Sequence, residues 1–226
     1  MKRTLDPVLE DLRERALRMG SLAEAILAKS LRAVWERDPK LAEEVREDDL
    51  AIDRLDVEID EEVIQALALH QPVADDLRRI LAVRTMAGDL ERVGDLARNI
   101  AKSAGRLASR PEIPLPPRLE ELADQTSRAL GAALDSFSHQ DAARARSVID
   151  SDDAIDEAED RLVQEVIADT GVHPEWAAQE VDLVLIAKNL ERVGDHATNL
   201  AEEVIFLAEA RIVRHASKLG GAAGDG

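Results

Sequence analysis

The sequence has no cysteine and no tyrosine, and aromatic residues make up only 2% of its 226 positions. Without Cys there are no disulfides and no thiolate metal sites, so any metal must sit on oxygen or imidazole, and the expected compartment is cytoplasmic. Basic residues are scarce, 29 Lys and Arg against 47 Asp and Glu, for a formal net charge of -18. That balance argues against a nucleic-acid partner, whose binding is driven by Lys and Arg releasing counterions from phosphates, and it suits cations instead. No apolar run approaches the roughly 18 to 20 residues of a membrane span, so no membrane insertion is expected. The opening residues, Met1-Lys-Arg-Thr-Leu-Asp-Pro7, lack the apolar core of a signal peptide. β-branched residues are sparse beside the many Ala, Leu, Glu and Arg, the palette of long helices, and the chain reads as all-α.

What the chain does have is an internal duplication. Leu90-Glu-Arg-Val-Gly-Asp-Leu-Ala-Arg-Asn-Ile-Ala101 returns as Leu190-Glu-Arg-Val-Gly-Asp-His-Ala-Thr-Asn-Leu-Ala201, identical at 9 of 12 positions. Helical apolar spacing predicts a first helix over about residues 4–37, and Asp38-Pro39, an N-cap followed by proline in the first turn, starts a second. His70-Gln-Pro72 breaks the chain before a third helix that runs to about residue 109. Four prolines in the seven residues 111–117 make a stiff extended connector between the halves. The second half repeats the plan: a helix over about residues 118–138, another capped by Asp141, a break at Thr170-Gly-Val-His-Pro174, and a last helix to about residue 219. The expected organisation is two tandem three-helix bundles, 1–110 and 118–219, joined by the linker 111–117 and followed by a disordered tail at 220–226.

Each copy of the motif sets a Glu and an Asp one helical turn apart, Glu91 with Asp95 and Glu191 with Asp195. Isolated pairs of this spacing carry little information, since a chain this acidic gives about ten by chance on a composition count. Register carries more. The second helix bears Asp49, Asp53 and Asp56, and Asp152, Asp156 and Glu159 stand at the same spacing 103 residues later. The midpoints of the facing acidic pairs, 51 with 93 and 154 with 193, are equidistant from the turns at Pro72 and at His173-Pro174. In each half the two pairs therefore lie at one level, about 30 Å from the turn at 1.5 Å per residue.

Four carboxylates at one level repel unless a cation neutralises them, and Fe, Mn, Mg, Ca or Zn accepts such oxygen ligands. The expected ligands are Asp49, Asp53, Glu91 and Asp95 in the first half, and Asp152, Asp156, Glu191 and Asp195 in the second. The same spacing also fits a solvated acidic face, and it does not choose between the two. On a helical wheel Glu91 and Asp95 point away from Leu90, Val93, Ala97 and Ile100, which places them at the surface. Gly94 and Gly194, costly inside helices, imply a close neighbour, either a cluster or a packed helix. Asn99 and Asn199 extend the stripe toward water or a ligand, Arg92 and Arg192 suit neighbouring acids, and His196 suits a structural role.

The combination of His70-Gln-Pro-Val-Ala-Asp-Asp-Leu-Arg78 with the two Glu-Arg-Val-Gly-Asp motifs resembles the PhoU family, the phosphate-specific transport system accessory proteins, over about residues 4–215. The resemblance implies two tandem three-helix bundles, cytoplasmic and usually homodimeric. It also implies a regulator that restrains the high-affinity phosphate ABC transporter through its ATPase subunit and reports to a sensor histidine kinase. In that family the acid-x-x-x-Asp motifs bind multinuclear clusters of iron or other divalent ions, a role that falls here on the eight carboxylates just named. Three departures stand out. His70 replaces the usual Arg, Ser151 stands where the first half has Asp48, and the second half lacks an equivalent of Asp76-Leu-Arg78.

Catalytic readings find no support. A ferritin-like di-iron oxidase needs Glu-x-x-His on two helices, and none of the five His residues has Glu three positions earlier. Neither a phosphate-cradling Gly-rich loop nor a Ser/His/Asp set is visible. A metal-free helical adaptor stays open beside the metal-binding regulator.

Overall fold

A computed structural model describes residues 5–213. The first bundle is α1 (Asp6–Trp35), α2 (Pro39–His70) and α3 (Ala74–Ala108); the second is α4 (Pro117–His139), α5 (Ala142–Ile149), α6 (Asp152–Val172) and α7 (Ala177–Glu209). A single 3-10 turn, Pro174–Trp176, precedes α7, and no strand occurs among the described residues. The fold is all-α, built from a duplicated helical unit.

Local chemistry sets most of the boundaries. The Asp38 carboxylate accepts the Lys40 backbone N–H at 2.8 Å, and Asp141 accepts those of Ala143 and Arg144, both at 3.0 Å. Each satisfies donors that a helix start otherwise leaves bare. Gln71, at φ 46°, ends α2 in a left-handed conformation, and extended Val73 reverses the chain into α3.

Two expected elements differ. The helix starting at Asp141 does not run on unbroken but stops at Ile149 and restarts at Asp152. At the break the Ser151 hydroxyl donates to the Val148 carbonyl at 2.7 Å, the kind of local bond by which serine competes with the helical ladder. Asp152 and Asp153 then open α6, where carboxylates favour the positive end of the helix dipole. The last helix stops at Glu209, because Ala210 adopts φ 56° and Arg211 to Val213 are not helical. Residues 214–219 of that expected helix and the expected tail 220–226 lie outside the described residues.

The two bundles share one apolar core. Helix α3 is its axis, packed on α1 and α2 on one side and on α7 on the other. Small side chains make this close approach possible: Ala87, Ala97, Ala101 and Ala104 on α3, and Ala187, Ala197 and Ala201 on α7, are all buried. Helices α1 and α4 also meet tightly, since a Cβ added at Gly20 would sit 2.5 Å from Leu134 Cδ2. Polar contacts hold α3 and α7 antiparallel. Buried Asp182 accepts from Arg106 Nε and Arg110 Nη1, both at 2.7 Å, and His196 Nδ1 lies 2.8 Å from Asp89 Oδ1. The proline-rich connector is pinned as well, with Ile113 buried and its carbonyl accepting from Arg37 at 2.6 Å. No helix among the described residues is long and apolar enough to cross a membrane.

Candidate metal centre

Helix pairs α2/α3 and α6/α7 carry the acidic stripes, and in each the register brings the stripes together at the level expected from the turns. The two outcomes differ. In the second repeat Asp156 from α6 meets Glu191 and Asp195 from α7, each offering an oxygen within 4.8 Å of the others. One hard cation with metal–oxygen distances of about 2.1–2.5 Å spans ligand atoms up to about 5 Å apart, so this separation suits a single ion. Asp152, the fourth expected ligand, instead accepts a hydrogen bond from Thr198 Oγ1 at 3.0 Å.

Electrostatics in this cluster matches the crowding. Partial burial, then repulsion by Asp152 and Asp195, raises the Asp156 carboxyl above its ordinary value. Burial and Asp195 likewise raise Glu191, with Lys188 opposing. Glu159, one turn further along the same stripe, is buried at 2% exposure; its Oε2 accepts from Lys188 Nζ at 2.7 Å. Its Oε1 is buried with no hydrogen-bond partner among the described residues. An all-oxygen set at this spacing suits a hard cation.

The first repeat gathers the same residue types around a different centre. Arg98 bridges the stripes, donating through Nη1 to Asp49 Oδ2 and through Nη2 to Asp95 Oδ1. Arg92 flanks them, 3.4 Å from both Asp95 Oδ2 and Glu91 Oε2, and Arg84 holds Asp56 and Asp60. Asp53 is half-buried and close enough to repel both Asp49 and Glu91. Glu91 and Asp95 are half-buried rather than at the open surface the helical wheel implies, and Asp49 is buried at 1% exposure. The wheel missed this because α2 covers the acidic flank of α3.

The glycines are explained by that cover. A Cβ on Gly94 would lie 2.6 Å from Asp49 Oδ1 and 3.0 Å from Ile52 Cδ1; one on Gly194 would lie 3.1 Å from two Ile155 carbons. Both mark tight helix packing, and Gly94 also abuts the acid. Gly94→Ala is expected to destabilise by about 1–2 kcal/mol, because Asp49 is pinned and cannot retreat. Gly194→Ala is expected to stay within about 1 kcal/mol of neutral, since the gain in helix propensity offsets a small shift of Ile155. Urea melts of the two variants give the comparison.

Asn199 is half-buried and does not join the cluster, but donates to Asp89 at 3.2 Å beside His196, so both belong to the α3–α7 seam. Asn99 accepts from Lys102 at 3.4 Å. The residues that sequence reasoning passed over are Arg98 and Thr198. Their signal stood inside the repeated motif, as one of its three differences.

A family model for the PhoU domain matches residues 16–104 and again 119–204. The chain is 35% identical to the phosphate-specific transport system accessory protein PhoU homolog of Pseudomonas aeruginosa, over 92% of this chain and 86% of that protein. It is 38% identical to the corresponding homolog of Rhizobium meliloti, over 90% and 86%. The crystal structure of PhoU from Pseudomonas aeruginosa superposes with a TM-score of 0.89 at 33% identity, covering 92% of this chain and 100% of that one. The phosphate transport system regulatory protein PhoU from Streptococcus pneumoniae does so at 0.84 and 26% identity, covering 93% and 99%. Two matched domains on a duplicated fold, with full-length likeness to these proteins, establish that the chain belongs to the PhoU family.

Proposed function

We propose that this chain is a metal-binding regulator of phosphate homeostasis that restrains uptake by the high-affinity phosphate ABC transporter and damps the phosphate-starvation two-component response. Its partners are the transporter's ATPase subunit and the sensor histidine kinase. It works as a homodimer in the cytoplasm, at the inner membrane only through those partners, and it is not a catalyst. The observation that carries the metal part is the convergence of Asp156, Glu191 and Asp195 from two helices in a family motif. The bound cation is iron, Mn, Mg or Zn held on carboxylates, singly or as a multinuclear cluster.

The first hairpin turn suits the partner contact. Leu69, Val73, Leu77 and Leu81 are exposed there, Leu69 at 74% and Val73 at 66%, and an apolar group left in water is released from it on binding. Val73→Asp is expected to weaken retention of the ATPase subunit in a pull-down without lowering the melting temperature, since the exposed side chain packs on little of its own chain and an aspartate at this position caps the start of α3.

Pull-downs of the ATPase subunit and the sensor kinase, with and without phosphate, test the regulatory reading; retention of neither under either condition overturns it. Elemental analysis of protein purified without chelator, against an Asp95→Ala/Asp195→Ala double variant, tests the metal reading. A wild-type chain free of metal leaves a helical adaptor.

A further inference from the structure

We infer that the second hairpin turn, between α6 and α7, is a second docking surface for the same partner subunit, so that one chain binds two copies of it, one at each end. This rests on the partner reading above, which gives the first hairpin turn to the transporter's ATPase subunit.

The duplication has kept an apolar surface at both turns. Equivalent residues lie 103 apart on α2 and α6 and 100 apart on α3 and α7. That pairing sets Ile64 against Ile167, Leu69 against Val172 and Leu81 against Val181. All six are exposed, at 66% and 64%, 74% and 71%, and 46% and 60%. Within each hairpin the first and third members stand at one level: Ile64 and Leu81 are eight and nine residues from Pro72, and Ile167 and Val181 are about seven from the turn at His173-Pro174. Away from the turns the exposed apolar side chains of α2 did not persist, since Leu50 and Val57 correspond to Asp153 and Asp160. Packing accounts for apolar residues repeated in a core, such as Val63 with Val166, but not for ones repeated in water.

Charge points to the occupant. From Leu55 to Leu77 the chain has seven acids and no Lys or Arg, and from Leu162 to Ala187 it has five and none. Glu61 and Asp75 are exposed around the first turn, Asp169 and Glu175 around the second. Arg78, which follows the first run, is engaged by Asp75. An apolar centre within an acidic rim fits a partner face of apolar residues ringed by Lys and Arg. The same rim disfavours an anionic membrane surface, and it disfavours a second copy of this chain, whose own turns are acidic.

Geometry sets the number. Arg106 near the end of α3 holds Asp182 near the start of α7, so the two turns lie at opposite ends of the molecule, about 50 Å apart along the 35 residues of α3. Two like surfaces facing opposite ways take two subunits rather than one.

The test titrates the full-length chain with purified ATPase subunit and reads subunits bound per chain by calorimetry and light scattering. The wild type is expected to bind two. Leu69→Lys and Val172→Lys place a cation at the C-terminal end of α2 and of α6, which the helix dipole favours, and each is expected to bind one. The double variant is expected to bind none while its circular dichroism stays that of the wild type. Should Val172→Lys fail to fold, Ile167→Lys takes its place. If the wild type binds one subunit, which Leu69→Lys removes and Val172→Lys keeps, the inference is overturned and the partner reading stands. Two subunits on folded Val172→Lys overturn the inference as well, as does conversion of a dimer of the chain into monomers by that variant, which would make the second turn a self-contact. If the wild type binds no subunit, inference and partner reading fall together.

Discussion

Replacing Arg98 by Ala is expected to lower stability by about 2–4 kcal/mol at neutral pH, a fall in Tm of roughly 5–15 °C for a chain of this size. The size of the effect comes from what is left behind. Asp49 keeps its burial, at 1% exposure, but loses the guanidinium that compensates it. Breaking a buried pair by deleting one member leaves an uncompensated charge, which costs more than the pair contributed. The upper end of the usual range is not reached because Arg98 is itself 29% exposed and water reaches the gap.

The pH dependence separates this cause from simple loss of packing. Burial already holds the Asp49 carboxyl above its ordinary value of 3.8, with Arg98 pulling it down and Asp53 and Asp95 pushing it up. Without Arg98 it rises further. A carboxyl raised by folding contributes stability that is fully present below its unfolded value and lost as pH climbs through its folded one. The Arg98→Ala deficit should therefore be widest at neutral pH and close as pH is lowered toward 3.8. Arg98→Met keeps the aliphatic stem and is expected to show the same pH-dependent deficit. A deficit that is flat with pH and absent in the Met variant assigns the loss to packing.

How much of this was readable beforehand depends on whether the cause was local. Asp38 and Asp141 cap helices through their own side chains, and Pro72 and Gln71 act on the backbone beside them, so these boundaries followed from neighbouring residues. The matching level of the acidic stripes followed too, because helical rise and distance from a turn are arithmetic. The split at Ser151 turned on one hydroxyl finding a carbonyl three residues back, which pattern alone does not reveal. The burial of Asp49 and the roles of His196 and Asn199 depend on which face of α3 meets α2 and which meets α7. That is a three-dimensional fact: α3 is buttressed on both sides, and a wheel drawn for one helix knows only its own apolar stripe. Arg98 was missed for a related reason. A motif that repeats draws attention to what is shared, whereas the difference in chemistry between the halves sits in what is not.

A crossover in stability between wild type and Asp195→Asn, with and without metal, is the second large expected effect. Without metal, the crowding that raises Asp156 and Glu191 makes the second cluster a mild liability at neutral pH, since both gain stability only where they are protonated. Asp195→Asn relieves that repulsion, and the stripped variant should be more stable than wild type by about 0.2–0.5 kcal/mol, the worth of a like-charge pair one turn apart. The advantage should vanish below the ordinary values of 3.8 for Asp and 4.5 for Glu. Adding Mn²⁺ reverses the order. At one hundred times its dissociation constant an ion that binds only the folded chain stabilises it by about 2.7 kcal/mol. Wild type should gain that amount and the variant almost none. Because proton and metal compete for the same oxygens, the gain should shrink as pH falls through the raised carboxyl values. Thermal melts at two pH values, with and without Mn²⁺, give the whole comparison, and parallel responses in the two proteins would remove the cluster from any account of metal binding.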